Sequence, residues 1–220
     1  MKVLIAATIA ALGLVSAATA SAGDTNYAVT VASDYVDRGV SQTDQHEAVQ
    51  ARVEHTFDNT VYVGAFASNV DFNNSTDAEI NLYAGVRPSY KEYTFDFAVI
   101  YTGYPDQPKG SDYAYGEIKA GVSRPVGKAN VGAAVYYSPQ FFGETGKAFY
   151  YEVNASYPLT NRLTVSGALG EQSFQQSSYN TGNIGVSYKL NDRLSVDVRY
   201  HDTNTQIEPD HTVLSLTASF

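Results

Sequence analysis

The sequence predicts an all-β fold: a transmembrane antiparallel up-and-down β-barrel of about twelve strands, preceded by a cleavable signal peptide. Three observations carry this. The stretch "HTVLSLTASF" (211–220) alternates Leu214, Leu216, Ala218 and Phe220 with Val213, Ser215, Thr217 and Ser219, and a two-residue period puts the two sets on opposite faces of a strand. Segments of strand length recur along the chain with almost no helical period, and their connections alternate short and long. Mean hydropathy is slightly negative, as it is when lipid-facing apolar residues alternate with lumen-facing polar ones.

The elements follow in order. Met1-Lys2, the apolar run "VLIAATIAALGLV" and small residues at Ala20 and Ala22 have the layout of a secretory signal, with cleavage between Ala22 and Gly23. The run is short for a membrane-spanning helix, which takes about 20 apolar residues. Residues 1–22 are therefore expected to be a signal peptide and 23–220 one outer-membrane barrel domain of a Gram-negative bacterium. The absence of cysteine excludes disulfides, thiol catalysis and Cys-ligated metals. A net charge of −9 with no Lys/Arg cluster argues against nucleic acid as a partner. The expected partners are outer-membrane lipid and, during biogenesis, the barrel-assembly machinery; no cofactor is expected.

Strands are expected at 26–37, 48–57, 60–69, 78–89, 93–104, 113–124, 129–138, 147–157, 163–171, 181–189, 194–201 and 211–220. Each is close to the roughly 9–11 residues a tilted strand needs to cross a bilayer. Short turns fall at 58–60, 91–92, 127–128, 160–162 and 191–193. Longer polar stretches fall near 38–47, 70–77, 105–112, 139–146, 172–180 and 202–210. Outer-membrane barrels sort their connections this way, with tight periplasmic turns and long outer loops. An internal echo agrees: "SYPLTNRLTV" (156–165) matches "SYKLNDRLSV" (187–196), and Ser89, Ser123, Ser156 and Ser187 lie 34, 33 and 31 residues apart. That spacing fits repeated hairpins.

Energetics assign the faces. In 194–201, Leu194, Val196, Val198 and Tyr200 share one side and Ser195, Asp197, Arg199 and His201 the other. Turning Arg199 to lipid at mid-membrane would cost about 2–4 kcal/mol, so the polar side faces inward. The same logic turns Thr94, Asp96, Thr102, Tyr115, Glu117, Lys119, Tyr150, Glu152 and Asn154 inward. Segment 60–69 is ambiguous, since both its faces are apolar or small. His55 fits an outward face only at the periplasmic rim. The expected lumen charges are Arg52, Glu54, Glu79, Arg87, Asp96, Glu117, Lys119, Glu152, Asp197 and Arg199.

Eighteen tyrosines without any tryptophan suit an aromatic girdle, in which a ring is buried while its hydroxyl stays wet. Tyr27, Tyr90, Tyr93, Tyr104, Tyr137, Tyr157, Tyr188 and Tyr200 are the candidates. The last strand must pair with the first to leave no free edge. Leu214, Leu216 and Phe220 resemble the assembly signal of bacterial outer-membrane barrels, with Ala218 standing where a larger side chain is common.

Ser33, Tyr35, Arg38, Gly39, Ser41, Gln42, Thr43 and Gln50, followed by "VYVGAFASNVDF" (61–72) and "EINLYAGV" (79–86), form a recognisable pattern. On these residues the stretch between 33 and 90 resembles the TorF family, a porin-type group of proteobacterial outer-membrane proteins. The resemblance implies a pore-type barrel. Asp37 departs from the pattern, where a larger apolar or aromatic residue is expected. Arg38 is read as closing the first strand into its loop, with Gly39 permitting a bend.

Enzymatic chemistry would have to use His46, His55, His201 or His211. His201-Asp202 and Asp210-His211 flank one outer loop, but no Ser-His-Asn grouping of a barrel phospholipase is present in the sequence. Acids alternate through "DFNNSTDAE" (71–79) without the turn glycine and bidentate glutamate of a calcium loop. Neither catalysis nor a metal is expected. The expected activity is passive diffusion of ions or small hydrophilic solutes, with mild cation preference; the alternative is a non-conducting barrel plugged by side chains such as Tyr115 and Tyr150.

Overall fold

The computed structural model describes residues 23–205 and 209–220; the expected signal peptide lies outside the described residues. The strands are β1 (Gly23–Ala32), β2 (Val36–Asp37), β3 (Val40–Ser41), β4 (Ala48–Phe57), β5 (Val61–Asn69), β6 (Ala78–Val86), β7 (Ser89–Tyr90), β8 (Tyr93–Gly103), β9 (Tyr115–Val126), β10 (Ala129–Ser138), β11 (Ala148–Pro158), β12 (Leu163–Phe174), β13 (Ser178–Lys189), β14 (Leu194–Thr203) and β15 (His211–Ser219). The twelve long strands form the wall, each antiparallel to its chain neighbours. β1 pairs with β15 along Ala28–Ala32 and Ser215–Ser219, and β6 with β8, so the sheet closes on itself. Backbone groups facing lipid are thereby paired within the sheet, which is the condition for crossing a bilayer with strands.

The alternation read from sequence holds around the wall. Val99, Leu169, Val198 and Leu214 are exposed on the outside, whereas Glu54, Glu79, Glu117, Gln172 and His211 are buried within. Phe220, on the outer surface, exchanges two backbone hydrogen bonds with Tyr27. The ambiguous strand β5 resolves through its neighbour. Its inward Tyr62 lies over Gly85 and its Gly64 lies beneath Tyr83, positions paired directly across the β5–β6 ladder. A glycine opposite each ring leaves room for the ring to lie along the sheet. The turn at Asp58 and Asn59 has positive φ at both residues (45° and 58°), and Thr60 N donates to Phe57 O at 3.0 Å; such a primed turn matches the twist of a tight hairpin.

The structure corrects four sequence expectations. The first strand ends at Ala32 rather than 37, because residues 33–47 leave the wall and fold into the lumen as a small hairpin, β2–β3. The strand expected at 78–89 breaks into β6 and β7. The expected long connection at 172–180 shrinks to 175–177, because β12 and β13 extend toward each other. Tyr104 turns inward and is buried, so it does not join the girdle.

Candidate functional site

The lumen is organised by three groups of inward side chains. Along β4, β8 and β9, and from Arg87 just beyond the end of β6, runs a charge ladder. Glu54 bonds Arg52 and Arg87, each at 2.6 Å; Asp96 lies 3.6 Å from Arg87 and 2.8 Å from Lys119. Tyr62 donates to Asp96 at 2.6 Å, and the Arg87 guanidinium sits 3.7 Å from the centre of the Tyr62 ring. On β12 to β14, Arg199 bonds Asp197, Asn183 and Ser166. Isolated, any of these charges would be costly in a low-dielectric wall; paired, they hold a polar surface at fixed geometry.

The third group belongs to the inward hairpin. At its base, Ser41 and Thr43 donate to Asp34 Oδ1 at 2.7 and 2.9 Å, and His211 Nδ1 stands 3.1 Å from Asp34 Oδ2. The Tyr35 hydroxyl donates to Glu79 at 3.0 Å, and Tyr104 reaches the second Glu79 oxygen at the same distance. Burial first, then the Glu79 charge, raises both phenol pKa values, which keeps both tyrosines donors. Arg38 and Gly39 form the tip, with φ of 48° and 83°.

From that tip Arg38 donates to Glu117 at 2.8 Å and Gln172 at 3.1 Å, beneath the rings of Tyr136, Phe141 and Tyr150. Burial alone would lower the Arg38 pKa, but Asp37 and Glu117 outweigh it and raise it, so the tip stays cationic. Asp37 is half exposed and lines the smaller cavity beside Arg38.

Two cavities flank the hairpin. One, of about 270 Å³, is lined by Arg38, Glu117, Glu152, Tyr136 and Tyr150 among others. The second, of about 500 Å³, is lined by Gln50, Arg52, Phe66, Asp197, Arg199 and Val213 among others. Tyr35, Val36, Asn81, Ile100 and His201 border both.

The structure places the residues expected to be lumen charges on inward faces and gathers most of them into bonded groups. It brings Ser33, Tyr35, Arg38, Gly39, Ser41, Gln42 and Thr43 into the inward hairpin and its root, with Gln50 on the adjacent cavity wall. Sequence reading missed the receiving side, Gln172, Tyr136 and Phe141. Gln172 falls on the inward parity of its strand, a legible signal had that strand been drawn to its full length.

Strand number, closure and polar lumen define a closed antiparallel barrel with the fold of outer-membrane porins. The chain belongs to a bacterial family of unknown function, Gcw_chp, whose model matches residues 16–216. No curated protein matches it. Among solved structures it is similar to the KdgM porin in complex with disordered oligogalacturonate, at 10% identity over 89% of this chain and 98% of that one, TM-score 0.64. It is also similar to the COG4313 outer membrane channel from Pseudomonas putida F1 (10% identity, 91% and 96% covered, TM-score 0.62) and to the NanC porin (8% identity, 89% and 98% covered, TM-score 0.57). At such identities the likeness is one of fold.

Proposed function

We propose that the chain is an outer-membrane porin through which ions or small hydrophilic solutes diffuse passively, exported by its N-terminal signal and inserted by the barrel-assembly machinery. The observation that carries this reading is the bonded lumen: cations and carboxylates fixed on the wall around two cavities, inside a closed lipid-facing cylinder. The resemblance of residues 33–90 to the TorF family supports it. Asp34, Asp37, Glu54, Glu79, Asp96, Glu117, Glu152 and Asp197 outnumber Arg38, Arg52, Arg87, Lys119 and Arg199 on the inner surface, which favours cations. The KdgM porin holds an acidic oligosaccharide; the carboxylate excess here favours a different permeant. His211 is engaged by Asp34, His55 by Thr25 and His46 by the Thr43 carbonyl, His201 borders the cavities, and we read the barrel as non-enzymatic.

Planar-bilayer recording of the refolded protein tests the reading. Stepwise conductance with a cation-selective reversal potential in a salt gradient is expected; a clearly anion-selective potential would reject the charge argument. The Arg38 hairpin favours one alternative, a barrel held shut as an envelope scaffold, and a folded sample without conductance would select it.

A further inference from the structure

Arg38 is rooted between β1 and β4, yet its guanidinium lies against β9 to β12, the wall opposite in strand order. What receives it is a built pocket. Glu117 and Gln172, 7% and 1% exposed, accept from its two terminal nitrogens, and the Tyr150 and Tyr136 rings stand 4.6 and 5.0 Å from Cζ. The wall strands supply both acceptors and both rings; the cation alone comes from a loop. A planar cation between aromatic faces with a carboxylate at its edge is the arrangement that suits guanidinium. The smaller cavity opens onto the same surfaces, and it adds Glu152, whose hydrogen bonds come from the neutral groups of Tyr150 and Asn154. A solute in that cavity therefore touches Glu117, Tyr136 and Tyr150, three of the groups that hold Arg38, and meets a second carboxylate.

We propose that this pocket is a recognition site for small guanidinium-bearing solutes, and that Arg38 is its built-in occupant, displaced when such a solute binds. Displacement frees the hairpin tip from the far wall and widens the lumen, so binding and passage are linked. The use of the site rests on the porin reading; its chemistry rests on the pocket alone.

Isothermal titration calorimetry with methylguanidinium on the refolded barrel in detergent tests it, with tetramethylammonium as a cation that lacks N–H donors. Arg38→Ala empties the pocket and should bind methylguanidinium saturably, one per barrel, while the wild type binds at least about tenfold more weakly because its own guanidinium competes. Arg38→Ala combined with Glu117→Gln should lose about tenfold or more of the affinity, and tetramethylammonium should bind more weakly than methylguanidinium. Equal affinity of wild type and Arg38→Ala, indifference to Glu117→Gln, or no saturable binding by a folded Arg38→Ala barrel would overturn the proposal. Heat-modifiable electrophoretic mobility reports folding, and Arg38→Gln replaces Arg38→Ala if the latter does not assemble. Single-channel recording keeps the two readings apart. Binding without conductance retains the site and rejects the pore; conductance without binding does the reverse.

Discussion

Gly39 has a φ of 83°, and a β-carbon built on it runs into the side chains of Thr181 and Thr203. The left-handed conformation alone costs a non-glycine residue about 1–2 kcal/mol, and the collision adds to it. Gly127 separates the two terms, since it has φ 62° with nothing within 4 Å of the added carbon. Gly39→Ala should lower the urea midpoint in lipid vesicles more than Gly127→Ala does, and only Gly39→Ala should raise single-channel conductance by dislodging the tip. The tyrosine–glycine joints make a second residue-scale prediction. A β-carbon at Gly85 collides with the Tyr62 ring and with the Phe97 carbonyl, so Gly85→Ala should shift that ring and break its bond to Asp96. A hydrogen bond to a charged group contributes about 1.5–3 kcal/mol; equilibrium unfolding should show a loss of that order, and a fall well below 1 kcal/mol would mean the ring relocates without losing its partner.

At the scale of elements, the inward hairpin is where sequence and structure part. Residues 33–37 carry polar side chains on both parities, Ser33 and Asp37 flanking Tyr35 on one and Asp34 beside Val36 on the other, so they lack the apolar face that a lipid-facing wall strand needs. That mixed pattern marks a departure from the wall but not its destination, which is set by partners far along the chain, Glu117, Gln172 and His211. The wall itself is legible because all its strands but β5, whose two faces are both apolar or small, show an apolar parity and a more polar one, and bounds such as 48–57 and 129–138 match the structure. The candidate site was half legible: its charges follow from parity, but the strut across them depends on long-range pairing that one sequence does not display. Replacing residues 35–42 by a short glycine linker should leave β1 and β4 paired and produce a larger unit conductance. An unchanged conductance would show that the hairpin does not narrow the path.

For the whole molecule, the decisive property is that polar and apolar surfaces are inverted relative to a water-soluble domain. Val99 is 58% exposed on the outer face of β8, and Asn154 points into the lumen from β11. Val99→Arg should reduce folding stability in bilayers by about 2–4 kcal/mol if it sits near the midplane, whereas Asn154→Arg should be tolerated and instead shift ion selectivity toward anions. Equal penalties for the two changes would contradict the assignment of faces. The reach of Arg38 also bears on how the molecule is completed. The tip leaves the first loop of the wall, but its seat is made from residues 117 to 172, so the seat exists only after most of the polypeptide has joined the cylinder. Until then the Arg38–Gly39 bond is a free trypsin site; afterwards it is locked inside. Cleavage there should therefore time the moment the cylinder is finished, with intermediates nicked after Arg38 and mature barrels left whole.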